Sequence, residues 1–171
     1  MAHKLTIGLS LSLSGEYASM GRQAEAAMRL FVSDTNAGGG IRIGGRRHEL
    51  AIECIDDQSR RERTAEIYRM LCFERRVEVI FGPYSSALAR VAAPVVEAAG
   101  MVMVNHGGAS DDLYERGHRM IVGILTPASE YLTGAARLVG TLKFWRKRVA
   151  IISSRGRFAR IVAGGFERAC A

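Results

Sequence analysis

The chain has 171 residues, 48% of them hydrophobic, and a formal net charge of +7 at pH 7. That apolar content supports one large domain, or one domain and part of another, while the longest apolar stretches are far too short to span a bilayer. The excess charge argues against nucleic acid by its placement: residues 1–122 hold 15 basic and 15 acidic side chains, residues 123–171 hold 9 and 2, and the basic runs flank an expected strand rather than forming a disordered tail.

The opening Met1-Ala2-His3-Lys4 leads directly into a strand over Leu5–Leu11, without the basic, apolar and small-residue segments of a signal peptide. This suits a cytoplasmic protein, or an exported one whose leader is replaced by an initiating Met. Ser12-Leu13-Ser14-Gly15 makes a turn, and helical spacing then predicts a helix from about Ser19 to Asn36, stopped by Gly38-Gly39-Gly40. Ile43-Gly44-Gly45-Arg46 reads as a tight turn and His48–Ile55 as the second strand. Asp56-Asp57-Gln58-Ser59 makes a loop and helix start, with Asp57 or Ser59 as cap, before a helix over Arg60–Arg75. The third strand, Val77–Phe81, breaks at Gly82-Pro83-Tyr84-Ser85-Ser86. A helix follows to about Ala98, and the fourth strand, Met101–Val104, breaks at Asn105-His106-Gly107-Gly108-Ala109-Ser110. Beyond a short helical turn at Asp111–Arg116, Met120–Ile124 is strand five, Pro127 opens a helix to about Phe144, Val149–Ser153 is another strand and Phe158–Cys170 the last helix. Such alternation means a three-layer α/β fold, an open parallel sheet with helices on both faces.

The two turns after strands three and four are the functional signal. They lie at the carboxyl edge of the sheet, where open α/β sheets bind small ligands. Ser85-Ser86 also opens a helix, so free N–H groups and a hydroxyl share one space suited to a carboxylate. Competing motifs fail. No Gly-Lys-Ser/Thr follows the glycine runs, and no Gly-x-Gly-x-x-Gly follows strand one. Asp56-Asp57 lacks the acidic residue after strand one and the acceptor after strand three that a magnesium-binding receiver would need, so neither metal nor cofactor is expected. His106 suits a pocket-lining or hydrogen-bonding role, since no Gly-x-Ser-x-Gly nucleophile elbow accompanies it. Cys54, Cys72 and Cys170 form no Cys-x-x-Cys pair and read as buried free thiols.

With these turns in place, the order of parts resembles the type I periplasmic binding fold, and within it the substrate-binding proteins of branched-chain amino acid ABC transporters. The likeness rests on Ile7–Gly21 with its Leu13-Ser14-Gly15 turn, Asn36–Ile41, Ile55-Asp56-Asp57, Ile80-Phe81-Gly82-Pro83 with its serines, and Lys147–Ile152. It implies two α/β lobes with a ligand held in the cleft. It also implies a serine after strand three and main-chain groups after strand four on the ligand's carboxylate. Carried over, that serine is Ser86, beside Ser85 and Tyr84, and the second turn contributes Gly107, Ala109 and Ser110. Met20 takes the aromatic pocket position of the first turn, with Tyr17 nearby. Ala109 stands where many such proteins place a Thr that helps hold an α-ammonium.

The resemblance implies a complete first lobe over residues 1–122 and, over 123–171, a crossover and the beginning of a second. The expected function is recognition of an amino acid or related small carboxylate for ABC import, with no chemistry. The partners implied are that ligand and, in a full-length protein, a transporter permease, in the periplasm. Two alternatives stand beside it: a cytoplasmic or sensory ligand-binding regulator of the same fold, and a small α/β hydrolase using Ser86 and His106. An incomplete second lobe also predicts self-association of the short chain.

Overall fold

A computed structural model describes residues 3–75, 77–142 and 148–171. Six strands form one sheet: β1 (His3–Leu11), β2 (Ile41–Ile43), β3 (Arg46–Asp56), β4 (Val79–Phe81), β5 (Met103–Asn105) and β6 (Ile121–Gly123). Their order is β2-β3-β1-β4-β5-β6, and every neighbouring pair is parallel except β2–β3. The helices are α1 (Ala18–Ala37), α2 (Arg61–Arg69), α3 (Ser86–Ala99), α4 (Thr133–Thr141) and α5 (Arg157–Cys170). A π-helical turn, Met70–Arg75, extends α2.

The chain leaves β1 toward β3 and returns past it to β4. Right-handed crossovers in opposite directions put α1 on one face and α2 and α3 on the other. The second face is the better packed. Ile67, Tyr68 and Leu71 of α2 and its π-turn meet Ile80 of β4, Ala92 and Val96 of α3 and Met103 of β5 in one buried cluster. Tyr68 is fully buried, and its hydroxyl donates to the Phe81 carbonyl at 2.6 Å. On the α1 face the cover thins across the sheet. Register aligns Leu9, Phe81, Val104 and Val122 in one row, and exposure along it rises from 0% at Leu9 to 50% at Val122.

Four expectations need correction. The tight turn at Gly44-Gly45 closes a hairpin, so Ile41–Ile43 is an additional strand, antiparallel at the sheet edge. Residues 149–153 join no sheet: their β-branched composition favours a strand, but no described strand pairs with them. The helix expected from Pro127 to Phe144 is a 3₁₀ turn at Ala128–Glu130 followed by α4, and its end, with residues 143–147, lies outside the described residues. The three cysteines are free, but only Cys72 is buried; Cys54 is partly buried and Cys170 exposed. Burial pushes the Cys54 and Cys72 thiols up to about 11.

Candidate ligand cleft at the strand-order switch

The strand order reverses between β1 and β4, where an open sheet leaves a crevice beyond its carboxyl edge. Three turns border it, and each is fixed by hydrogen bonds.

The turn after β1 is held by the acidic pair that ends β3. Register sets Leu11 opposite Asp56, so both carboxylates reach across to the first strand. Asp57 is fully buried and accepts the hydroxyls of Ser10 (2.9 Å) and Ser12 (2.6 Å) and the N–H of Ser59 (2.9 Å). Asp56 accepts N–H groups of Leu13, Ser14 and Gln58 and the Ser14 hydroxyl. Burial alone would raise the Asp56 carboxyl, but these four donors hold it below its ordinary value. Ser59 completes the clamp, donating to the Ser14 carbonyl at 2.8 Å and accepting the Tyr17 N–H at 3.0 Å. Neither Asp57 nor Ser59, the expected caps, therefore caps α2, whose first turn follows Arg60 with no side-chain cap. Every carboxylate oxygen of the pair thus accepts at least one hydrogen bond from the turn. Gly21 draws α1 onto this turn: a Cβ there would collide with the Ser12 carbonyl. Tyr17 and Met20 are thereby aimed over the sheet edge.

The turn after β4 carries backbone strain. Ser85 has φ 86° and ψ 143°, a region almost reserved for glycine. In return its N–H donates to the Gly107 carbonyl at 3.0 Å and its Oγ accepts the Leu88 N–H at 3.3 Å, capping α3. Ser86, 7% exposed, accepts the Ser110 N–H on its Oγ at 3.1 Å, which leaves its own proton for a ligand. The N–H groups of Ser86 and Ala87 have no acceptor within the helix by construction.

The turn after β5 is closed by Asn105, fully buried at the strand end. Its amide donates to the Gly108 carbonyl at 2.7 Å and its carbonyl oxygen accepts the Gly108 N–H at 3.0 Å. Gly107 lets the two turns touch, since a Cβ there would meet the Pro83 carbonyl at 2.5 Å and Tyr84 Cα at 2.6 Å.

Between the turns lies a cleft of about 380 Å³ lined by Tyr17, Met20, Tyr84, Ser85, Ser86 and Gly107, all singled out from the sequence. Ala109 and Ser110 are not on its wall. They are buried beneath it, where Ser110 anchors Ser86 and donates its hydroxyl to Asp112 at 2.6 Å. The sequence reading missed Glu16, Ser19, Ala87 and Phe158 on the same wall. Phe158, from the start of α5, gave no local signal. Two larger hollows, of about 540 and 550 Å³, are framed by α4 and α5 and by the 111–115 turn and α5; neither is at the switch between β1 and β4.

His106 does not join a catalytic set. Neither ring nitrogen has a hydrogen-bond partner, and burial depresses its pKa, so the ring is neutral. Its ring instead packs at 6.3 Å from Phe81. The hydrogen-bonding role expected for it is therefore not present.

Fold and cleft together place the chain in the class of periplasmic binding folds, of which it forms a part. The match to the periplasmic binding protein family covers residues 4–171, and the chain belongs to that family. It is 26% identical over 168 residues to the Leu/Ile/Val-binding protein BraC3 of Rhizobium johnstonii, covering 98% of this chain and 44% of that protein. It superposes with TM-score 0.82 and 21% identity on the ABC transporter substrate-binding protein of Desulfitobacterium hafniense in complex with Leu, covering 98% of this chain and 47% of that one. A solute-binding protein of an ABC transporter from Rhodopseudomonas palustris BisB5, in complex with 3,4-dihydroxybenzoic acid, gives TM-score 0.81 at 21% identity, with 98% and 44% covered. The chain thus spans about half the length of the relatives it matches.

Proposed function

We propose that this chain contains the carboxylate-gripping lobe of a periplasmic solute-binding protein that delivers a small ligand to an ABC importer, and that it performs no chemistry. Residues 1–122 form that lobe and 123–171 lead into a second one, which would close the cleft from the other side. The observation that carries the reading is Ser86. It is buried on the cleft wall, its oxygen is already satisfied by Ser110, and its free hydroxyl proton stands with two unpaired N–H groups at the start of α3. That is a cluster of donors without a negative charge, the complement of a carboxylate. The ligands named for the structural neighbours, Leu and 3,4-dihydroxybenzoic acid, share only that group.

A hydrogen bond to a charged group contributes roughly 1.5–3 kcal/mol. Ser86→Ala should therefore weaken ligand binding by about 10- to 100-fold, and because it also strips the acceptor from the buried Ser110 N–H it should lower stability by about 1–3 kcal/mol. Calorimetric titration of wild type and variant tests this, and equal affinities would remove Ser86 from the site.

A further inference from the structure

Every residue lining the cleft lies between Glu16 and Gly107 except Phe158, at the start of α5. Its place on the wall therefore depends on how α5 is tied to the first region. Its neighbour Arg157 reaches the Asp112 carboxylate at 3.3 Å, and that carboxylate is built into the support of Ser86. Asp112 is 7% exposed and accepts two hydrogen bonds from Arg90, at 2.9 and 3.1 Å. Arg90 stands one turn along α3 from Ser86. Asp112 also accepts the Ser110 hydroxyl at 2.6 Å, and the Ser110 N–H is the donor on Ser86 Oγ at 3.1 Å. We propose that Asp112 is a positioning residue that sets both walls of the cleft, Ser86 through Ser110 and Phe158 through Arg157; that these walls grip a ligand rests on the solute-binding reading above.

The two links differ in strength. Arg90 is mostly buried and meets both carboxylate oxygens at once, the strong form of this contact. Arg157 is 54% exposed and reaches one oxygen, a pair that solvent and salt weaken. Ser86 is thus held firmly, while Phe158 hangs on a latch that opens at little cost. Phe158 can leave and regain the wall without disturbing the donors around Ser86. Arg116 stands 3.9 Å from the same oxygen as Arg157 but has no cleft residue beside it, so its charge ties nothing to the wall.

The test follows the Phe158 ring and Ser86 amide resonances of the isotopically labelled 171-residue chain in dilute, ligand-free solution. Arg157→Gln, at a half-exposed site, should shift the Phe158 ring toward free-phenylalanine values and leave Ser86 unmoved. Arg157→Lys should restore most of that shift, and Arg116→Gln should leave the ring in place. Asp112→Asn should move both Phe158 and Ser86, and adding Arg157→Gln to it should move Phe158 no further, since both act on one link. Ser110→Ala cuts the link to Asp112 but keeps the N–H on Ser86, and should move the Ser86 amide alone. Raising salt from about 0.02 M to about 0.5 M shortens the screening length from about 20 Å to about 4 Å. It should reproduce the Phe158 shift in the wild type and add nothing in Arg157→Gln. A ring unmoved by Arg157→Gln, or moved equally by Arg116→Gln, would overturn the tie to Phe158. A Ser86 amide unmoved by both Asp112→Asn and Ser110→Ala would overturn the tie to Ser86. No ligand enters these measurements, so they succeed or fail apart from the Ser86→Ala titration that tests the solute-binding reading.

Discussion

Residues 3–123 and 128–171 bury their apolar side chains to very different extents. In the first, Ile7, Leu9, Leu11, Tyr68, Leu71, Ile80 and Val96 are inaccessible or nearly so, and sheet and helices close on one cluster. In the second, the buried hydrophobics among the described residues are Ala128, Ala136 and Phe166, while Leu138, Val149, Ile152 and Phe158 stay exposed, Ile152 at 99%. What holds the second region is mostly polar and local to one turn. Ala128 N–H donates to the Ala109 carbonyl, Ser129 donates to Asp111, and Arg157 reaches Asp112 at 3.3 Å. Apolar burial contributes roughly 25 cal/mol per Å², whereas a half-exposed ion pair contributes at most about 1 kcal/mol. The first region is thus built to be stable alone, and the second to be stable only against something that covers it.

Hydrogen exchange should expose the largest contrast. Amides of β1 and β4 should exchange only through global unfolding, whereas those of α4 and α5 should open locally at little free-energy cost, a gap of several orders of magnitude in protection. The uncovered apolar surface of α4 and α5 should also drive the chain to self-associate at high concentration, visible by sedimentation. Uniform protection through Cys170 in a monodisperse monomer would erase the distinction between the regions. Point substitutions sharpen it. Tyr68→Ala should cost roughly 3–5 kcal/mol, as large-to-small changes in packed cores do. Phe166→Ala, 7% exposed but on a poorly covered helix, should leave the main denaturation midpoint almost in place.

Asp57→Ala comes next. It strips the acceptor from the buried Ser10 and Ser12 hydroxyls, and each unpaired group costs about 1–3 kcal/mol. The same turn responds to acid through its neighbour. The Asp56 carboxyl is held below its ordinary value in the folded chain. Its contribution is therefore complete above the unfolded value of about 3.9 and is lost as pH falls toward the folded one. Acid unfolding of Asp56→Asn should be correspondingly shallower.

How much of this was legible follows the same division. The parallel sheet, its helices and the cleft residues Tyr84, Ser85, Ser86 and Gly107 could be read from local signals, apolar runs ending in Gly and Ser turns with helical spacing between them, whereas Tyr17 and Met20 came from the family resemblance. What escaped depends on partners distant in sequence. Asp57 and Ser59 look like helix caps until register sets Leu11 opposite Asp56. Ile41–Ile43 is too short to announce a strand, and only its antiparallel partner makes it one. Residues 149–153 have strand composition, but propensity without a neighbouring edge gives no sheet. Phe158 reaches the cleft only because α5 docks on the turn at Ala128–Glu130, so closely that a Cβ on Gly165 would collide with the Ser129 carbonyl.

Smaller effects belong to the cleft turns. Ser85 combines a strained φ of 86° with a helix cap. Ser85→Gly relieves the strain and loses only a few tenths of a kcal/mol of capping, so it should stabilise the chain by about 1 kcal/mol. Ser85→Ala keeps the strain and loses the cap, and should destabilise it by about 1 kcal/mol. Chemical denaturation of the two variants reads opposite signs. Equal destabilisation by both would mean that the lost cap, not the backbone strain, sets the cost.

The smallest effect is a slope rather than a shift. His106 sits with both ring nitrogens unpaired, and burial lowers its pKa below the ordinary 6.5. Between those two values the unfolded chain binds a proton that the folded chain refuses, so stability present above about pH 6.5 is lost as pH falls toward the folded value. His106→Leu keeps an apolar side chain against Phe81 and removes both unpaired nitrogens. At pH 8 it should match or slightly exceed wild-type stability, because deleting an unsatisfied buried polar group removes a penalty. Its advantage should then widen as pH is lowered to 5.5, since the remaining histidines and carboxylates titrate alike in both proteins. Urea denaturation at the two pH values gives the difference directly. A constant gap between the proteins would mean that His106 takes up its proton in the folded state as readily as in the unfolded one.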